Sequence, residues 1–489
     1  MHISDLQTRV EAGRARVEAW VTWEDAAREP LRLFVETDAR FADALWADPN
    51  GLAVAALLPA WHAGERRLLV DGTLCPILRD NLKAACETLR AWYPESGPPP
   101  ALETSQGFKP RYPAQGQAVS FLSGGIDSLA TLRSNKLCLP PDHPGAIRAS
   151  ILVDVIREPG LSEEETARQH AKRVAVSSAV AAEAGIEAIS VKTNLLQLDH
   201  DGWFFSFRWH GAVFAATSHL LGKRFAKAYI ASSYTPALLH PWGSHPLLDP
   251  YYSAGNVQIE HHGLHMSRFE KVELVADWPV ALQNILVCQG QDSGATNCGA
   301  CEKCVRTMTA LVAYGKLQEC HAFPLDDVSP ELLHTVQEYE MIWSEHNIAF
   351  YEEMIPALTD RGRDDLVEVI QGFRLWLASK QESRGLTPGL LAHSLPIGAH
   401  AALVDRGHPG CFAQPERSGR YWGMPSDDLT AVRELEALRE SGADYLVFGP
   451  ETFWWLDYYA QLGAHLRSKY KCIQQDKRCQ VFDLRVAPD

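Results

Sequence analysis

The chain has 489 residues, of which 46% are apolar and 22% charged, and it carries a formal net charge of −15. This is the make-up of a globular chain too long for one ordinary domain, and about three domains are expected. The acidic balance argues against a sequence-independent grip on nucleic acid, which depends on clustered Lys and Arg. It favours a small-molecule partner met by positive charge gathered only locally.

Residues 1–93 mix strand-like and helix-like stretches and predict an N-terminal α+β domain. Arg16–Trp23 alternates with period two, 31–36 and 67–70 read as strands, and 77–93 carries apolar residues at helical spacing. No secretory h-region opens the chain, and the apolar run Leu52 to Trp61 is far short of a membrane span. A cytoplasmic location without a membrane partner is therefore expected. The Pro- and Gly-rich stretch 94–116 predicts a linker. From 117 to 325 strands and helices alternate: strands at 118–122, 149–155, 187–193 and 227–232, helices at 127–136, 162–184 and 209–222. That alternation predicts a doubly wound parallel α/β sheet. Residues 326–385 read as a helical segment and 386–489 as a small C-terminal α/β domain, with strands at 401–404, 445–448 and 480–484.

Between the first strand and first helix of the central region lies Ser123-Gly124-Gly125-Ile126-Asp127-Ser128. A buried strand, a Gly-Gly turn and a helix N-terminus aim backbone N–H groups at one spot, which favours a polyanion such as phosphate. The serines add hydroxyl donors, and an acid beside phosphate calls for a divalent cation between them. No Gly-Lys-Ser/Thr follows, so this is not a Walker A loop.

Cys298, Cys301 and Cys304 follow one another at two-residue intervals, with Cys288 nine residues upstream. Thiolates so spaced can wrap one tetrahedral ion, with Gly294 and Gly299 supplying tight turns. Zinc, an iron–sulfur cluster and unliganded thiols are the alternatives. Four thiolates on one ion would close the site, making it structural.

The stretch Ser123–Ser128 resembles the SGGxDS signature of the PP-loop ATP pyrophosphatases, whose fold is adenine nucleotide alpha hydrolase-like. The resemblance implies ATP with Mg2+, held by Ser123, Gly124, Gly125, Ile126, Asp127 and Ser128, with Asp127 helping to place magnesium. Ser267-Arg268-Phe269-Glu270-Lys271 is similar to an element that lies near the nucleotide phosphates in this superfamily, so Arg268, with Lys271 as second choice, would neutralise charge on the leaving pyrophosphate, a solvated helix start being the alternative. Asp127 and Ser128 complete the catalytic set that the resemblance implies. Asp154 and Ser232 end strands at the ligand-facing edge, and Leu152 and Val153 would border the adenine.

Together with the cysteines, the loop resembles the 7-cyano-7-deazaguanine synthases over residues 117–315. This implies Zn2+ on Cys288, Cys298, Cys301 and Cys304. It further implies a C–N ligase that adenylates a carboxylate such as 7-carboxy-7-deazaguanine and captures ammonia or another amine, giving an amide or a nitrile. The extra N- and C-terminal regions depart from the compact synthases, and a protein acceptor and a homodimer are further expectations. Alternatives that share the loop are a tRNA-thiolating or lysidine-type modifier and an ATP-binding sensor or assembly module.

Other segments carry chemistry of their own. The loop Pro241–Pro250 holds Trp242, His245 and Asp249, suited either to a planar acid or to covering the sheet edge. His261, His262 and His265 have no acidic ligand pattern beside them. Trp454 and Trp455 read as core of the last domain.

Overall fold

The computed structural model describes residues 1–112, 116–155, 163–288, 296–338, 345–383, 391, 394–396, 398–404, 411–414, 417–425 and 427–486. It divides into two compact units, Met1–Gln371 and Gly372–Asp489.

The first unit is α/β and is organised by one ten-stranded, mostly parallel sheet. Its strands are β1 (His2–Glu11), β2 (Arg14–Thr22), β3 (Leu31–Asp38), β4 (Arg67–Val70), β5 (Ala101–Thr104), β6 (Gln117–Phe121), β7 (Ile147–Val155), β8 (Glu187–Thr193), β9 (Phe225–Ala231) and β10 (Gln258–His262). Their spatial order is β10-β9-β6-β7-β8-β3-β2-β1-β4-β5. The five strands from β8 to β10 are all parallel. From β6 the chain steps to β7 and β8 on one side, then returns to place β9 and β10 on the other. The winding therefore reverses between β6 and β9. At such a switch point the connecting segments diverge and leave a crevice at the carboxyl ends of the strands.

Both faces of these strands are covered, which is why they read as nearly unbroken apolar runs. Val119, Phe121, Ile151, Ile189 and Ala228 join a core built with helices Pro49–His62 and His210–Leu220. Helix Ile126–Cys138 packs on β6, β7 and β9, and helix Glu163–Glu183 on β7 and β8. The apolar run 52–61 is the buried body of helix Pro49–His62. No helix among the described residues is long and apolar enough to cross a membrane.

The structure differs from the expectation of a separate N-terminal domain over 1–93 and a linker over 94–116. Strand β3 pairs antiparallel with β8 through Val35 opposite Thr193 and Glu36 opposite Lys192. Side chains stitch the seam: Asn194 Oδ1 accepts from Phe34 N–H at 2.8 Å, and Thr193 Oγ1 donates to Phe34 O at 2.7 Å. Part of the expected linker is β5, which extends the sheet beside β4. Strand pairing between residues some 160 positions apart leaves no trace in local periodicity, so the seam could not be read from the sequence.

The second unit carries a six-stranded sheet of β11 (His400–Val404), β12 (Cys411–Gln414), β13 (Arg417–Tyr421), β14 (Tyr445–Phe448), β15 (Lys471–Gln475) and β16 (Gln480–Asp483), in the order β12-β13-β11-β14-β16-β15. Helices Asp428–Glu440 and Ala460–Lys469 cover it, and Trp455 lies in its core with Phe448 and Leu462. The expected boundary at 385–386 lies outside the described residues.

Candidate functional site

Ser123–Gly125 follows β6, and Ser232 and Ser233 follow β9, so the two segments face each other across the switch point. Gly124 adopts φ +84°, and a Cβ there would stand 2.7 Å from Val176 Cγ1 and 3.0 Å from Leu286 Cβ. Only glycine fits that bend. The loop organises itself through its hydroxyls: Ser128 Oγ donates to Gly125 O at 2.8 Å, and Gly125 N–H donates to Ser123 Oγ at 3.3 Å. Helix Ile126–Cys138 begins here with no side chain capping its first turn. Its N–H groups remain available to an anion.

Facing this turn is a cluster of three charges. Arg268 Nη1 donates to Asp127 Oδ2 at 2.7 Å, and Lys271 Nζ lies 3.6 Å from Asp127 Oδ1. Helix Arg268–Ala276 delivers both cations; Ser267 and Glu270 close its start with a reciprocal capping box. Lys271 is 1% exposed and donates to Ser232 O at 2.6 Å. Burial opposes ionisation of Asp127, but the neighbouring Arg268 and Lys271 outweigh it and hold the carboxyl below its usual range. Burial pushes the Lys271 ammonium down, with Asp127 opposing. Two cations thus stand against one directly paired carboxylate, with Glu353 acting on Lys271 from further off, in a chain that is strongly acidic overall.

The residues expected from the sequence divide as follows. Ser123, Gly124, Gly125, Ile126, Asp127, Ser128, Arg268 and Lys271 come together. Ser232 takes part through its carbonyl, which accepts from Lys271, while its hydroxyl donates to Tyr234 O at 2.7 Å. Its neighbour Ser233 reaches Asp127 Oδ2 at 3.4 Å. Asp154 stands at the end of β7 but is engaged by Arg173 at 2.5 Å and His170 at 2.9 Å, on helix Glu163–Glu183. Leu152 is buried and Val153 packs against the sheet core.

Sequence reasoning missed two further features. Arg306, 8% exposed, pairs with Glu302 at 3.2 Å on helix Glu302–Tyr314 and acts electrostatically on Asp127 and Arg268. The i,i+4 spacing of Glu302 and Arg306 was the available signal, and it usually marks a solvated pair. The second is an aromatic wall. Ring contacts run from Phe121 at the end of β6 through Phe214, His210, Trp242 and His240 to Tyr234 beyond β9, at centroid separations of 4.5–6.1 Å. Behind it, the buried Asp249 accepts from His261 Nδ1 at 2.7 Å and from Ser244 Oγ at 2.6 Å. His261 thus finds its acidic partner twelve residues upstream and serves to fix the loop 241–250.

Cys288, Cys298, Cys301 and Cys304 meet with all four sulfurs within 4.8 Å of one another, and they can hold a metal ion such as zinc. Cys298 and Cys304 sulfurs are 3.7 Å apart and those of Cys301 and Cys304 are 3.5 Å apart. A tetrahedral zinc thiolate site would separate its sulfurs by about 3.8 Å, so the donor set fits. The Cys288 thiol raises Cys301 to about 11 and also pushes Cys304 up, so loading a metal would release protons. Gly299 turns the knuckle at φ +76°; Gly294 lies outside the described residues. Among the described residues this is the sole cluster of His, Cys, Asp and Glu arranged to bind a metal.

No protein-family model, no curated protein and no solved structure matches the chain.

Proposed function

We propose that the first unit is an ATP-dependent ligase that adenylates a carboxylate and passes the acyl group to an amine. The reading rests on the meeting, at the switch point between β6 and β9, of the Gly124–Gly125 turn with Arg268, Lys271 and Asp127. An uncapped helix start with one buried cation, Lys271, and one half-buried cation, Arg268, suits the pyrophosphate end of a nucleotide. Asp127 Oδ1 is buried without a hydrogen-bond donor, which fits it to hold Mg2+; that ion would supply further neutralisation of phosphate charge.

In the first step a carboxylate oxygen of the acid bonds to the α-phosphorus of ATP, and the bond from that phosphorus to the bridging oxygen of pyrophosphate breaks. Arg268 and Lys271 stabilise the charge that gathers on the departing pyrophosphate. In the second step the amine nitrogen bonds to the activated acyl carbon, AMP leaves and the nitrogen loses a proton. No covalent enzyme intermediate is required, so the chain's task is positioning and charge neutralisation. The half-buried Trp242, His240 and Tyr234 at the outer end of the aromatic wall would offer a stacking surface for a planar acid of the deazapurine type.

Pyrophosphate release from ATP, measured against a panel of planar acids including 7-carboxy-7-deazaguanine with and without ammonium, tests this. Acid-dependent release is expected. ATP binding without release would identify a nucleotide sensor, and cleavage between the β and γ phosphates would overturn the assignment.

A further inference from the structure

Arg306 is placed as no ordinary surface cation is. A guanidinium has five N–H donors and cannot shed its charge, yet this one is nine-tenths buried with a single carboxylate, Glu302. Its Nε has no hydrogen-bond partner among the described residues. Its face lies over the Phe350 ring at 5.0 Å, and Phe350 in turn stacks on Tyr234 at 5.8 Å and 14°. Tyr234 stands two residues past Ser232, at the rim of the crevice. Asp127, Arg268 and Arg306 all act on the Tyr234 hydroxyl. A buried guanidinium with an unmet Nε donor, beside the proposed anion site, calls for a further acceptor.

Resting on the reading given under Proposed function, we propose that Arg306 is a third cation of that site and contacts oxygens of the bound polyphosphate. Its helix begins immediately after Cys301, and Cys304 lies two residues before it, so the cysteine knuckle fixes where the guanidinium stands. Arg suits the task better than Lys because its planar fork can give two parallel hydrogen bonds to one phosphate.

Calorimetric titration of the full chain with inorganic pyrophosphate, at several salt concentrations, tests this. Wild type is expected to bind, and Arg306→Gln to bind roughly ten- to a hundred-fold more weakly with a shallower dependence of log Kd on log salt. Arg306→Lys should recover the salt slope but only part of the affinity. Zinc content and thermal midpoint show whether each variant is folded. If Arg306→Gln does not fold, Glu302→Gln decides: freeing Arg306 from its carboxylate should tighten pyrophosphate binding, and unchanged or weaker binding overturns the proposal. Failure of wild type to bind would sink the ligase reading itself. Wild-type binding with an unaltered Arg306→Gln affinity and salt slope would sink only the role of Arg306.

Discussion

The backbone N–H of Leu286 donates to the carbonyl of Gly124 at 2.9 Å. This bond ties the anion loop to the cysteine knuckle, because Cys288 is only two residues further along. Asn297, 1% exposed, reinforces the approach: its Oδ1 accepts from Val287 N–H at 2.8 Å and its Nδ2 donates to Ile285 O and Ala322 O. The cysteine cluster and the Gly124–Gly125 turn are thereby built on one stretch of backbone.

The two glycines of the turn should respond differently to alanine. Gly124→Ala places a Cβ at positive φ against Val176 and Leu286 and should lower stability by about 1–3 kcal/mol, read from denaturant unfolding. At Gly125, φ is −72° and the nearest atom to a new Cβ is Ser123 Oγ at 3.4 Å. Gly125→Ala should therefore unfold at the wild-type denaturant concentration while losing ATP affinity. Equal destabilisation of both variants would contradict this account of the turn.

Asp127→Asn removes the one carboxylate that, among the described residues, forms an ion pair with Arg268 and Lys271. The site becomes more positive, so inorganic pyrophosphate should bind at least as tightly as to wild type. Turnover should fall by about tenfold or more, because the cations lose their anchor and the proposed magnesium ligand goes with it. A variant that bound pyrophosphate more weakly would show that Asp127 serves some other purpose.

Removing the metal should loosen both sites at once. Stripping the protein with a chelator, or making Cys301→Ser, should lower the thermal midpoint and slow pyrophosphate release together, with a stability loss of at least about 2 kcal/mol. Metal content by mass spectrometry and the unfolding curve check it. Release that persisted at the wild-type rate in metal-free protein would break the link through Leu286 and Gly124.

The His245 imidazole, 5% exposed and with Nδ1 accepting from Leu247 N–H at 3.0 Å, is pushed by burial down to about 4. Between that value and the ordinary 6.5 the unfolded chain binds a proton that the folded chain does not. Its stabilisation is complete above about pH 6.5 and is lost as pH falls toward 4, on the order of 2–3 kcal/mol. The half-buried His210 and His262 are lowered in the same direction by desolvation and add to the slope. Denaturant midpoints measured from pH 7.5 to 4.5 should fall, and His245→Asn should flatten that fall.

The local code of this chain was legible where one segment supplied the whole signal. Strand, Gly-Gly turn and helix are contiguous from Gln117 to Cys138, so the order of residues fixes that turn and its place at a strand end. The CxxCxxC spacing likewise brings three sulfurs to one point, because a tight turn and a helix start leave them nowhere else to go. What lay beyond the sequence were relations between distant segments. Backbone pairing of Val35 with Thr193 made two expected domains one sheet, and the packing of helix Glu302–Tyr314 buried Arg306 instead of leaving it in water. Spacing within a helix is the same for a solvated cation and a buried one. Only burial, set by what the rest of the chain packs against it, tells them apart.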